Sequence, residues 1–266
     1  MLRLETATGW WLITHPDHAH LAGDFATAWG NDTFSTPEPR THVLRGIYAH
    51  DDGWAARDAQ PSITKQGKPA AFSVELVGTY SAFEEIDLAA YLAVRRSAVQ
   101  LIAQQDPYAA ILISMHTYNL LTARADRSTI RPDQLPLLDE FLAEQLALQQ
   151  SLQQQITPAP TAEELTNNFH LLQACDNLSL LSCVDFTGNA TLLWPQKTLA
   201  GPPREITVTH IGERTFRLTP YPLSKPELTF ELRARFVPTL HFTTGDQLQQ
   251  ALAAAPYQTL TVTITA

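Results

Sequence analysis

Cysteine is nearly absent from this chain: there are two in 266 residues, Cys175 and Cys183. They fall in a stretch that reads as one helix, which sets their Cα atoms about 12 Å apart at about 1.5 Å rise per residue. A disulfide cannot span that distance. Both are read as small buried hydrophobes, and so sparse a usage fits a reducing, cytoplasmic compartment. Long apolar runs are also missing; none reaches the 18 or so residues of a membrane helix. The opening "MLRLETATGWWLIT" has neither the charged start nor the apolar core of a secretory signal. Positive charge is in deficit, with 18 Lys and Arg against 27 Asp and Glu and a net charge of −9. That balance repels nucleic-acid phosphates and offers no polybasic membrane anchor, while leaving room for a local basic patch that binds a small phosphorylated compound. There is no P-loop, no Gly-rich dinucleotide fingerprint, no G-x-S-x-G and no paired CxxC. Ser114 and Ser179 have no nucleophile context.

What is present is a succession of helical periods. In "HPDHAHLAGDFATAWG", His18, Leu21, Ala22, Phe25 and Trp29 share one face, with Pro16 and Asp17 suited to the first turn. "THVLRGIYAHDD" gives a second helix, and Gly53 is placed to stop it. "ARDAQPSITKQGKPAAF" is an irregular connector. Further helices are predicted over 87–105 and from Tyr108 through "YAAILISMHTYNLLTARA", the latter apolar enough to be a central, buried helix. A long amphipathic helix with a glutamine-rich outer face follows. After "TPAPTAEE", Thr161 and Glu164 form a capping box for "AEELTNNFHLLQACDNLSLLSCV". Beyond about Leu193 the pattern alternates and is broken by Gly and Pro, as in hairpins, with one short helix and a last strand, "TLTVTIT". The expectation is a mainly α protein, α+β overall: a helical bundle over 1–192 with an N-terminal hairpin, and a small β-rich annex over 193–266. The hairpin is a candidate to pair with that annex. Self-association would cover exposed strand edges, so a homodimer is expected.

Polar residues on faces that should be dry carry the chemical signal. His18 lies on the apolar stripe of the first helix. His50 and Asp51 end the second. His116 sits within the most hydrophobic helix, and Asp176 is flanked by apolar residues in "LLQACDNLSLLSC". Each alone reads as a hydrogen-bonded core residue. Together they are explained more cheaply. A buried unpaired carboxylate costs several kcal/mol, and one divalent cation would neutralise Asp51 and Asp176 while neutral imidazoles supply nitrogen ligands.

The order His18, His50-Asp51, Asp176 is H…HD…D. It resembles the HD superfamily of metal-dependent hydrolases. More narrowly, "DHAHLAGDFATAWG", "AHDDGW" and "ACDNLSLLSC" look like an uncharacterised bacterial domain family near that superfamily, over roughly residues 10–190. The resemblance implies an HD-like helical core and a metal-dependent phosphohydrolase acting on a small phosphorylated metabolite or nucleotide. The ion would be Mn, Fe, Ni, Co or Zn, held by His18, His50, Asp51 and Asp176. Superfamily members with two ions carry two further histidines before the last aspartate; here His116 and, close before Asp176, His170 are what the chain offers. That implies one ion rather than two, or an asymmetric pair with His116 on the second. Asp52 would orient the attacking water or simply be a polar helix-end residue. His116, if not a ligand, would protonate the leaving oxygen. Arg45, Lys65 and Lys68 are candidate contacts for an anionic substrate, each read equally as a solvated charge, and one of Arg95 and Arg96 is expected to reach inward. Trp54 stacks on a base or sugar, or fills the core. His15 and His20 are read as surface. Two other readings stand beside the hydrolase: an HD-type di-iron oxygenase, and a non-catalytic metal-binding or ligand-sensing scaffold.

Overall fold

The computed structural model describes residues 1–71 and 87–266. Phe72, the last residue of the expected connector, lies outside them. Strands β1 (Leu2–Glu5) and β2 (Trp10–Ile13) form the N-terminal hairpin. Helices α1 (His15–Ala28) and α2 (Arg40–Ala49) follow, then a single 3-10 turn over Asp52–Trp54. The helical layer continues with α3 (Leu88–Ala103), α4 (Pro107–Asn119), α5 (Leu135–Gln153) and α6 (Ala162–Cys183). The remaining strands are β3 (Asn189–Thr191), β4 (Thr207–Gly212), β5 (Thr215–Thr219), β6 (Glu227–Val237) and β7 (Tyr257–Thr265), with α7 (Gly245–Ala254) between the last two. No helix among the described residues is long and apolar enough to cross a membrane.

Local chemistry sets the helix ends. Thr14 caps α1, its Oγ accepting from Asp17 N at 3.1 Å, with Pro16 in the first turn. Asp106 caps α4 through Ala109 N, again with proline in the first turn. The Thr161–Glu164 capping box is formed at α6, satisfying both free N–H groups reciprocally. Helix α4 is buried along most of its length, as a central helix must be. Gly53 has a steric reason to be glycine: a Cβ there would run into the Val94 carbonyl and Ala98 of α3.

The expected small annex is wrong. The C-terminal strands belong to a seven-stranded mixed sheet in the order β1-β2-β6-β7-β5-β4-β3. The fold is α+β, a helical layer packed on a large mixed sheet, rather than a mainly α bundle with a small appendage. Three pairings join its two halves. β2 joins β6 in antiparallel register, Trp10 opposite Val237 and Leu12 opposite Arg235, which is the pairing the N-terminal hairpin suggested. β7 lies antiparallel to β6 and parallel to β5. The physical reason for the correction is burial of one whole sheet face. Leu232 and Ala234 of β6, Phe216 and Leu218 of β5, and Val262 and Ile264 of β7 join Phe25, Val43, Leu112 and Leu178 of the helices in one continuous apolar core. The ring of Phe25 on α1 meets that of Phe230 on β6 edge-on, centroids 4.8 Å apart. A sheet whose face is sealed by helices is part of the core, not an addition to it.

A shared core predicts shared unfolding. Phe25→Ala, at a fully buried ring, should cost about 3–5 kcal/mol. Helical far-UV signal and tryptophan fluorescence should then move together to lower denaturant in a single transition. Separate transitions would mean separate cores.

Candidate metal centre

Three helices and one helix end bring the polar residues together. α1 carries His18, α4 carries His116, the residues just after the end of α2 are His50 and Asp51, and α6 presents Asp176. All are buried. His18 Nε2 lies 3.1 Å from Asp51 Oδ2, and His50 Nε2 lies 3.3 Å from Asp176 Oδ1 and 3.9 Å from Asp51 Oδ2. The rings of His18 and His50 meet edge-on at 5.3 Å, and His116 of α4 meets His50 in the same way at 5.2 Å. Ligand-type atoms of His18, His50 and Asp51 lie within 4.8 Å of one another, as do those of His50, His116 and Asp176. Either group could hold a metal ion, and His50 belongs to both.

The proton positions suit that use. His50 Nδ1 sits 2.8 Å from the Ile47 carbonyl oxygen, which can only accept, so Nδ1 carries a proton. His50 Nε2 is left as a buried atom without a hydrogen-bond partner, although it faces two carboxylates. A bare nitrogen pointed at carboxylate oxygens repels them unless a proton or a cation stands between. The donor set is imidazole nitrogen and carboxylate oxygen, which suits divalent transition metals. Without an ion, burial by itself would lower the His50 pKa, but Asp51 and Asp176 outweigh it and carry the ring up to about 9. Burial also opposes ionisation of Asp51, yet the guanidinium of Arg95, with His50 and His18, holds its carboxyl well below the usual range. Asp176 is likewise held low by His50 against the effect of burial. His116 goes the other way: burial pushes it down to about 3, so the ring is neutral.

Arg95 is the member of this cluster that no single motif pointed to. It projects from α3 and donates from Nη1 to Asp51 Oδ1 at 2.5 Å, and from Nε to the Tyr91 hydroxyl at 3.0 Å. Its guanidinium lies over the rings of Trp54 and Tyr91 at 5.4 and 5.2 Å. Asp51 is thereby held with Oδ1 on Arg95 and Oδ2 toward the imidazoles. The available signal was the pair Arg95-Arg96 in an apolar helix. Arg95 is the inward one, while Arg96 pairs with Glu144 near the surface. Ser179 also touches the cluster, through His18 Nδ1 at 2.8 Å.

The other sequence-derived candidates are distributed elsewhere. Arg45 pairs with Asp106 at the far end of α4 from His116. Lys68 pairs with Glu5 and lies over the Trp10 ring. Lys65 is exposed. Trp54 is buried and stacks on His15, centroids 4.4 Å apart. His15 is therefore not the exposed side chain the sequence suggested; its ring also meets Asp58 at 3.1 Å. His20 is exposed, as expected. Asp52 is half-buried beside Asp51, its carboxyl raised by burial.

A family model described as "Protein of unknown function (DUF3891)" matches residues 1–239, a stretch that contains every residue of the cluster, and the chain belongs to that family. No curated protein and no solved structure matches the chain.

Two outcomes follow from the charge arrangement. Arg95→Met strands the buried Asp51 carboxylate and should destabilise metal-free protein by about 3–5 kcal/mol. Arg96→Met, removing a partly solvated pair, should cost less than about 1 kcal/mol; urea unfolding of both variants checks the contrast. The pH dependence has a definite sign. The folded pKa of His50, about 9, lies above its unfolded value of about 6.5. Its stabilisation is complete below about pH 6.5 and is lost as pH rises through 9. Chelator-treated protein should thus lose thermal stability across that window, and His50→Gln should flatten the slope.

Proposed function

We propose that this member of the DUF3891 family is a metal-dependent phosphohydrolase acting on a small phosphorylated metabolite or nucleotide. The observation that carries the reading is the pair of buried ligand groups, His18–His50–Asp51 and His50–His116–Asp176, that share His50, whose Nε2 lacks a hydrogen-bond partner while it faces Asp51 Oδ2 and Asp176 Oδ1. His18, His50 and Asp51 would hold an ion, and Asp176 would join from the second group, beside His50 and His116. The order of His18, His50-Asp51 and Asp176 along the chain, H…HD…D, resembles that of the HD superfamily. A divalent ion at such a site supplies Lewis acidity, making water nucleophilic near neutral pH and drawing charge from a phosphoryl oxygen.

Charge bookkeeping supports an anionic substrate. With neutral imidazoles, Asp51 and Asp176 outnumber the guanidinium of Arg95, and the cluster is negative. A divalent cation reverses the sign and leaves a buried positive site, where a phosphate is attracted far more strongly than in water. Asp51, Arg95 and Asp176 keep 5–6% of their surface accessible, whereas His18 and His50 have 0%. A substrate would meet the carboxylate–guanidinium side while the imidazoles stay behind. Asp52, half-buried with its carboxyl raised, is the group next to the ligand pair suited to take a proton from the attacking water. His116 is neutral, with Nδ1 held 2.5 Å from the Gln173 amide nitrogen. A neutral ring is a poor acid at pH 7, so a ligand role suits it better than protonation of the leaving oxygen. The overlap of the two candidate groups at His50 favours one further reading, a two-ion centre that, with iron, would use O₂ as an HD-type oxygenase.

Elemental analysis of protein purified without chelator tests the reading, together with phosphatase assays on p-nitrophenyl phosphate and nucleotides with Mn, Fe, Ni, Co or Zn added. Stoichiometric metal and metal-dependent phosphate release are expected. His50→Ala and Asp176→Asn should each lower the rate more than about 100-fold, since even outer partners of a metal site cost 10–100-fold. A folded, metal-supplemented protein that binds none of these ions would end the proposal. An iron-loaded protein that consumes oxygen and releases no phosphate would transfer it to the oxygenase reading.

A further inference from the structure

Helix α6 contributes a second polar side chain to the centre, one turn beyond Asp176. Ser179 is fully buried, as is His18. Its Oγ donates to the Asp176 carbonyl oxygen at 2.8 Å and lies 2.8 Å from His18 Nδ1. A serine hydroxyl has one proton and can give it to one acceptor. The Asp176 carbonyl, having no proton of its own, takes it. The Oγ can then only accept from the imidazole, so His18 Nδ1 must carry a hydrogen. Were the Oγ proton given to Nδ1 instead, two oxygens would face each other at 2.8 Å with no hydrogen between them. A neutral His18 consequently has its bare nitrogen at Nε2, the atom 3.1 Å from Asp51 Oδ2.

We propose that Ser179 is a positioning residue that fixes His18 as the Nδ1–H tautomer and turns Nε2 toward the ion. The inference rests on the metal reading for its purpose, though not for its geometry. It pairs His18 with His50, whose Nδ1 is fixed by the Ile47 carbonyl. Two imidazoles on different helices are thus set by different partners to present the same nitrogen to one point. Ser179 also ties the backbone of Asp176 to His18, so the orientation of one ligand is coupled to the position of another.

The test compares Ser179→Ala with Ser182→Ala. Ser182 is buried in the same helix and donates to a carbonyl, that of Leu178, at 2.8 Å, but makes no hydrogen bond to a histidine. It controls for the loss of a buried hydroxyl. Zinc affinity is measured by chelator competition, and the His18 ring by nitrogen-15 NMR of metal-free and zinc-loaded protein, assigned with His18→Gln. The wild type should show a slowly exchanging Nδ1 proton on His18 in both forms, with zinc bound through Nε2. Ser179→Ala should lose that proton's protection and bind zinc about 10–100-fold more weakly, while Ser182→Ala stays within threefold of wild type. Zinc bound through His18 Nδ1 in the wild type overturns the proposal. So does a Ser179→Ala protein that keeps both the protected proton and wild-type affinity. If Ser179→Ala does not fold, the wild-type coordination atom and proton still decide the matter. If the wild type binds no zinc, the metal reading fails, while the metal-free Nδ1 proton and its fate in Ser179→Ala still judge Ser179.

Discussion

Two ionised carboxylates, Asp51 and Asp176, lie in the interior of this protein, and the arrangement around them is a response to that fact. An isolated buried carboxylate is too costly to persist as a charge. Asp51 is met by Arg95 on one oxygen and His18 on the other, and Asp176 by His50. Each partner arrives on a different helix. The requirement to neutralise these groups therefore fixes how α1, α2, α3 and α6 stand relative to one another, more specifically than apolar packing could. Buried ion pairs contribute modestly to net stability, but removing one partner is severe. The cluster acts as a constraint on arrangement, and the apolar core around it supplies the cohesion.

Much of this was legible in the sequence, because polar residues on apolar faces are conspicuous. His18 on the stripe of α1, His116 within the least polar helix and Asp176 between leucines each contradicted their surroundings. The capping box at Thr161 was legible for a similar reason: its chemistry is local. What escaped was non-local. The hairpin could be matched to the C-terminal strands as a group, but its partner β6 lies more than two hundred residues away, and neither segment carries a mark of their register or of how much core the sheet would share. A strand sealed on one face by helices alternates much as a solvated hairpin does, so the alternation after Leu193 looked like an appendage. Arg95 was half visible, since two arginines in an apolar helix signalled an inward charge without saying which or toward what. Arg45 and Lys68 illustrate the converse: their partners, the buried Asp106 and the exposed Glu5, are far away in sequence, and no local pattern announces them.

Helix α6 shows how one element can serve both ends. Its capping box stabilises its start, where Thr161 and Glu164 close on each other. Near its other end Asp176 and Ser179 share a face and both reach the cluster. Residues three apart on a helix are neighbours in space, so a single turn delivers a carboxylate and a hydroxyl to the same histidine pair. Arg95 and the Trp54 ring perform a comparable service from the opposite side, stacking the guanidinium while leaving Asp51 oriented.

The register between Trp10–Leu12 and Arg235–Val237 has a consequence for how the protein comes into being. On the ribosome, the first hairpin emerges long before its neighbour exists. At about 5–20 residues per second, β6 follows on the order of ten to fifty seconds later. Throughout that interval β2 has an open hydrogen-bonding edge and α1 lacks the sheet that seals Phe25. The helical layer must wait, its sheet-facing side uncovered, for its closing strands.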